Sequence, residues 1–363
     1  MCLQAWEESS GRWIKRFPLY KLPLKSMLMK RTFGKFFSLI LLALPASSFA
    51  QSSLNWISVD TAFGELPSSV HVYRTKDLLD GKPNIAYYIV ADLSDKRLKF
   101  TTDTTLGRRM TPRQFYERND KPAVVVNCTF FSFATNQNLN TVIKDGKQVG
   151  YTVHTVGGKG KDTLTYTHPF GSALGISKKR KADVAWLYTD STLRWPFAWQ
   201  NAVSPVKDSN SRYRISYDQF LRLELDNTLQ HGGKGFTRKW KMQTAVGGGP
   251  VLLQNGQVSI SNNAELKFTG KQIDDKHPRT AMGYTKDNQL IILVVEGRNP
   301  GVAEGATLTQ LALMLQQLGC VEALNLDGGG SSCMLVNGKE TIWPSDKGLQ
   351  RPVPAVFLIE GKR

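Results

Sequence analysis

The chain has 363 residues, 41% of them hydrophobic and 21% charged, a globular composition able to bury a sizeable core in one large domain or two smaller ones. Its formal charge is +17, from 47 basic and 30 acidic residues, which points to an anionic partner: nucleic acid, an acidic membrane surface or a phosphorylated glycan. No stretch after position 50 is long and apolar enough to be a spanning helix, for which about 20 residues are needed.

The first 50 residues read as a leader. Lys30, Arg31 and Lys35 precede the apolar run 36–44 and the small-residue site Ser48-Phe49-Ala50, the layout of a signal peptide cleaved after Ala50. Met27 or Met29 would begin a leader of ordinary proportions, with residues 1–26 an upstream extension. Eight basic and two acidic residues precede Gln51, so +11 of the +17 remains beyond it. An exported protein, periplasmic or secreted, is therefore expected, with no integral membrane segment after cleavage, and export argues against nucleic acid as the partner. Residues 51–363 are expected to form a single domain.

Beyond Gln51 the pattern is short β-branched and aromatic runs broken by turn dipeptides, as at 85–91, 123–126 and 290–295. Thr111 and Pro112 open a short predicted helix over 111–117. Asp145-Gly146, Asn255-Gly256 and Asn337-Gly338 each predict a hairpin, because these pairs accept the positive φ angles of a type I′ turn. The basic run 178–181 reads as a solvated loop. The tract 186–241 lacks a strong period and reads as an insertion or lid, with Trp195, Trp199 and Trp240 as packing residues. Leu308, Leu311, Ala312, Leu315 and Leu318 form one apolar stripe at helical spacing. Thr307 with Gln310 supplies a capping box for that helix, and Gly319 its stop. The fold class is therefore α+β: strand-rich mixed sheets, few helices, and one strand-helix-strand unit near the C-terminus. That unit puts Glu296 and Asp327 at the C-terminal ends of two strands, where crossover sheets bind ligands.

Cys128, Cys320 and Cys333 follow the leader, an odd number, so at least one thiol stays unpaired; a Cys320–Cys333 bridge suits an oxidising compartment. The histidines are scattered, His71 and His168 among them, and no Cys/His set has zinc spacing.

Asn325-Leu326-Asp327-Gly328-Gly329-Gly330-Ser331-Ser332 carries the strongest chemical signal. An apolar run delivers a carboxylate into three glycines, whose backbones can approach a ligand closely and present N–H groups to it. A weaker echo, Gly247-Gly248-Gly249-Pro250, also precedes a strand and a hairpin turn. His277-Pro278-Arg279-Thr280-Ala281 precedes one strand and Glu296-Gly297-Arg298 ends the next. Together with Asn127, Phe130-Phe131 and Arg351-Pro352, in this order from about Pro122 onward, these blocks resemble the phosphodiester glycosidase family. Two departures stand out. Cys128-Thr129 occupies positions where that family usually has small residues, which would narrow the pocket or alter the sugar accepted, and Glu296 stands where aspartate is frequent, which lengthens a carboxylate arm.

The resemblance implies an exported hydrolase that cleaves the glycosidic bond of sugar 1-phosphodiesters, releasing free sugar and a phosphomonoester. Arg279 and Arg298 suit phosphate, because a guanidinium binds it bidentately and stays charged. Asp327 is the first catalytic candidate, as nucleophile or base, and Glu296 the second. Asn127 and Asn325 would hydrogen-bond the sugar, while Gly328, Gly329, Gly330 and Ser331 would contact phosphate. Asp327, Glu296 and the asparagines also offer oxygen ligands to a divalent cation, but no dedicated metal loop is present, so hydrolysis without metal or cofactor is expected. Two other functions fit the same residues: a non-catalytic glycan-binding protein and a glycosidase for non-phosphorylated glycans.

Overall fold

The structure is a computed structural model that describes residues 53–212, 214–215, 222 and 238–361. The leader and its cleavage site lie outside these residues, as does the middle of the 186–241 tract.

Among the described residues there are three larger sheets and a small three-stranded one. The eight-stranded sheet has at its centre Ala86–Asp92, Gln289–Val295, Arg279–Thr285, Cys320–Asn325 and Val251–Gln254, in that order. Gln289–Val295 is a nearly unbroken apolar run because both its faces are covered. Ile292 and Val294 point into a core shared with Val124, Val126, Leu174, Trp186 and Phe357. Ile291, Leu293 and Val295 point the other way, against Leu308, Leu311, Ala312 and Leu315. Those last four lie on the helix Leu308–Gln317, whose Thr307–Gln310 capping box forms as predicted. Burial of each leucine of that stripe contributes about 1.5–3 kcal/mol.

Every hydrogen-bonded ladder among the described residues is antiparallel, so the crossover matters. Arg279–Thr285 pairs antiparallel with both Gln289–Val295 and Cys320–Asn325. These two outer strands therefore run parallel, joined across the middle one by the helix. The C-terminal ends of both, and the N-terminal end of the middle strand, emerge at one edge. Arg279 stands opposite Val295, and Ala281 opposite Asn325. A five-stranded sheet supplies a further strand at this edge: Val124–Asn127, held between Met334–Val336 and Ala355–Gly361.

The three predicted hairpins form, with positive φ at both turn residues, as at Asn255 (52°) and Gly256 (74°). The helix near 111–117 spans Pro112–Arg118, capped by Thr111. Described parts of the 186–241 tract add strands Phe197–Trp199 and Arg238–Lys239 to the edge of the seven-stranded sheet, and Trp199 and Trp240 are buried.

Two expectations are corrected. Cys320 and Cys333 are free thiols that pack into different cores, Cys320 beside the helix and Cys333 behind Val125 and Leu335; the sheets hold them apart. The 178–181 run is a turn with Lys178, Lys179 and Lys181 exposed, as expected, but Arg180 departs from that reading: it donates hydrogen bonds to the carbonyls of Leu93, Asp95 and Leu98 and covers the Phe100 ring.

Candidate active site

A cavity of about 360 Å³ opens at the edge where the three strand ends meet, within the range of small-molecule sites, about 300–1,000 Å³. Its walls include Asp327, the glycines Gly328, Gly329 and Gly330, and the cations Lys267, Arg279, Arg298 and Arg351; Phe130, Phe268, Gln272 and His277 complete it. Among the described residues that line it, Asp327 is the sole carboxylate facing four cations.

Asp327 leaves the end of Cys320–Asn325 with its peptide held on both sides. Its N–H donates to the Cys128 carbonyl at 2.8 Å, and its own carbonyl accepts from Asn127 Nδ2 at 2.6 Å. Burial pushes its carboxyl up to about 7. Ser331, Arg351 and the Gly328 N–H oppose that shift without cancelling it. The residue keeps some access to solvent through the cavity, so water reduces the size of the shift while leaving its direction. Ser331 Oγ favours the ionised acid, yet makes no hydrogen bond of full geometry.

Arg279 begins its strand 3% exposed. Nε donates to the Ala306 carbonyl at 2.9 Å and one Nη to the Asp275 carbonyl at 2.9 Å, above the Phe268 ring. Backbone acceptors thus fix the guanidinium and leave its other Nη group free of protein partners among the described residues. Burial, then Arg298, lowers its pKa to about 10, so it remains charged at neutral pH. Arg298 is exposed at φ 60°, forms no ion pair among the described residues, and extends over Gly329, where an added Cβ would lie 3.0 Å from its Nη2. His277, half-buried beside both guanidiniums, is pushed toward its neutral form by burial and by their charge. Arg351 grips Asp346 with two hydrogen bonds, at 2.8 and 2.9 Å, and a side chain at Gly330 would collide with that pair.

Other predicted site residues sit behind the wall. Asn127 is fully buried: besides holding Asp327, its Oδ1 accepts from Thr280 Oγ1 at 2.9 Å and from Cys333 N at 3.0 Å. Asn325 donates to the Gly249 carbonyl at 2.8 Å, which ties the Gly247-Gly248-Gly249 segment to the strand. Glu296 is 5% exposed, is absent from the cavity lining, and accepts from the Trp343 backbone N–H at 3.0 Å. Cys128 and Thr129 are buried and do not line the cavity, so this departure does not narrow it. Lys267, Phe268 and Gln272 were missed from the sequence, because the irregular stretch 261–278 has no period to mark them. Among the described residues there is no group of three or more His, Cys, Asp or Glu side chains placed to hold a metal ion.

A model of the phosphodiester glycosidase family matches residues 120–360. The chain belongs to that family. The chain is 34% identical over 103 residues to mouse N-acetylglucosamine-1-phosphodiester alpha-N-acetylglucosaminidase, a match covering 26% of this chain and 20% of the mouse protein. It is 39% identical over 91 residues to the SPbeta prophage-derived protein YomE of Bacillus subtilis, covering 25% and 14% of the two chains. The chain thus spans a fifth or less of the length of these relatives. The catalytic domain of the zebrafish N-acetylglucosamine enzyme, auto-inhibited by its pro-peptide, shares the fold at TM-score 0.50 and 18% identity, over 85% of this chain and 89% of that one. A hypothetical protein from Synechocystis does so at TM-score 0.52 and 14% identity, over 85% and 68%. Among the described residues no helix is long and apolar enough to cross a membrane.

Proposed function

We propose that residues 51–363 form a phosphodiester glycosidase domain that hydrolyses sugar 1-phosphodiesters to free sugar and a phosphomonoester, outside the cytoplasm. The observation that carries this reading is the charge of the cavity: Lys267, Arg279, Arg298 and Arg351 surround one carboxylate, an environment complementary to an anion. The mouse, bovine and human relatives carry names that specify a sugar 1-phosphodiester, and the leader pattern before Gln51 supports export.

In this reading the free Nη of Arg279, together with Arg298, holds the phosphate, and the Gly328 to Gly330 backbone approaches it where side chains would block the way. Asp327, ionised, takes a proton from water as the water oxygen bonds to the anomeric carbon. The bond from that carbon to the phosphate oxygen breaks, and its electron pair leaves on the phosphomonoester. Such a leaving group is already stable as an anion, so no second carboxylic acid is needed to protonate it. Glu296 then serves as a positioning residue for the segment that begins at Trp343, and Asn127 as one for Asp327.

The test is release of reducing sugar and methyl phosphate from a sugar 1-(methyl phosphate) diester, followed by phosphorus NMR. Asp327→Asn is expected to lower kcat by about 10²-fold or more, the range of general-base catalysis; unchanged turnover would sink the assignment. A second reading, a phosphoglycan-binding protein without turnover, is favoured by the single carboxylate where two usually flank a glycosidic bond. Saturable binding with no sugar released would select it. A glycosidase for non-phosphorylated glycans would instead leave Arg279→Ala nearly as active as the parent.

A further inference from the structure

Of the two cavity cations that the proposed reaction leaves without a task, Arg351 is paired with Asp346 and Lys267 is not paired. It lies just past the short helix Asn262–Glu265 and lines the cavity. Its Nζ stands 5.4 Å over the Phe130 ring and has neither hydrogen bond nor ion pair among the described residues. The carboxylate nearest in sequence is fully engaged elsewhere. Glu265 accepts from Ser172 N and Oγ, Trp186 Nε1, Val251 N and Ser261 Oγ, so it acts on Lys267 only through its field.

The lysine's path is built into the backbone. Gly249 has φ +118°, and a Cβ there would stand 2.7 Å from Lys267 Cε; glycine at this position lets the stem pass. Lys267 and Arg279 are also distinct points of charge. Phe130 lies under Lys267, Phe268 lies 5.8 Å under Arg279, and the two rings meet nearly edge to face, 6.1 Å apart. Charges felt by Arg279 come from Arg298 and Asp275, whereas Lys267 feels Glu265. A half-buried ammonium with no hydrogen-bonded counter-ion is costly, and burial accordingly favours its neutral form. An anion arriving with the ligand would relieve that cost.

We propose that Lys267 forms a second anion subsite, so that the preferred substrate carries, besides its bridging phosphate, an acidic group on the sugar itself. That group is a carboxylate, as in a uronic acid, or a phosphate ester. The inference rests on the sugar 1-phosphodiester reading and specifies its substrate class.

Three substrates with the same methyl phosphate at C1 test it: glucosyl, glucuronosyl and 6-phosphoglucosyl. For the wild-type protein, kcat/KM is expected to favour at least one acidic sugar over glucosyl by about tenfold or more, the scale of one hydrogen bond to a charged group. The arm that gains identifies carboxylate or phosphate. Lys267→Gln should collapse that preference ratio, chiefly through KM, and Lys267→Arg should restore part of it. Equal treatment of the three sugars by the wild type, or an unchanged ratio in Lys267→Gln, overturns the proposal. If none is hydrolysed, the reaction itself is wrong, and calorimetric binding of glucose 1-phosphate against glucuronic acid 1-phosphate to the same proteins judges the subsite by the same ratio. Should Lys267→Gln fail to fold, the wild-type preference and the Lys267→Arg variant still decide.

Discussion

Replacing Asn127 by alanine tests how the acid at position 327 is held. The substitution removes one amide that serves three buried groups: the Asp327 carbonyl at 2.6 Å, the Thr280 hydroxyl at 2.9 Å and the Cys333 N–H at 3.0 Å. Thr280 has another partner in Ser332 Oγ at 3.2 Å, so two groups lose their satisfaction outright. Each orphaned buried group costs about 1–3 kcal/mol, giving an expected destabilisation of about 2–6 kcal/mol. Equilibrium urea unfolding measures it as a lower midpoint at unchanged slope. Turnover should fall as well, since the Asp327 peptide is freed on one side. A loss below about 1 kcal/mol, at the bottom of the range for a single orphaned group, would show that Asn127 does not staple the loop and would refute the positioning role.

The remaining predictions concern protons and thiols. Because the folded-state pKa of Asp327 is raised to about 7, the folded protein binds a proton there that the unfolded chain has released between roughly pH 4 and 7. Stability from this group is therefore full below pH 4 and lost as pH rises to 7, with a slope of at most about 1.4 kcal/mol per unit. Asp327→Asn should gain stability relative to wild type across that window, and a pH-independent difference between the two would contradict the shift. Should the ionised carboxylate be the base, kcat/KM of the wild type rises through about pH 7; a profile flat from pH 5 to 8 would remove it from that role. Alkylation of denatured, unreduced protein should label Cys128, Cys320 and Cys333, and recovery of a 320–333 disulfide peptide would contradict the separate cores.

Local signals were the legible ones. Thr307 and Gln310 close a hydrogen-bonded box within one turn, and Asn-Gly or Asp-Gly demands a positive-φ turn wherever it falls, so the long helix and the hairpins could be read directly. Asp327, Arg279 and Arg298 were readable as neighbours because each stands at a strand boundary and the helix between strands requires a crossover. What escaped depends on distant partners. Asn127 looks like a sugar ligand by residue type, yet its amide is consumed by groups at 280, 327 and 333. Lys267 becomes a cavity residue through a close approach to Gly249, eighteen positions earlier, where a side chain would crowd both Glu265 and the lysine. Arg180 looked like one more solvated base until the carbonyls of 93, 95 and 98 converged on it.

The staple between positions 127 and 327 also dates the birth of activity during folding. Its near end sits in a strand flanked by Ala355–Gly361, so the pocket stays unfinished until residues 355–361 are in place. A product that lacks residues 355–361 should fail the proposed turnover assay, however much of the sheet framework it has already made.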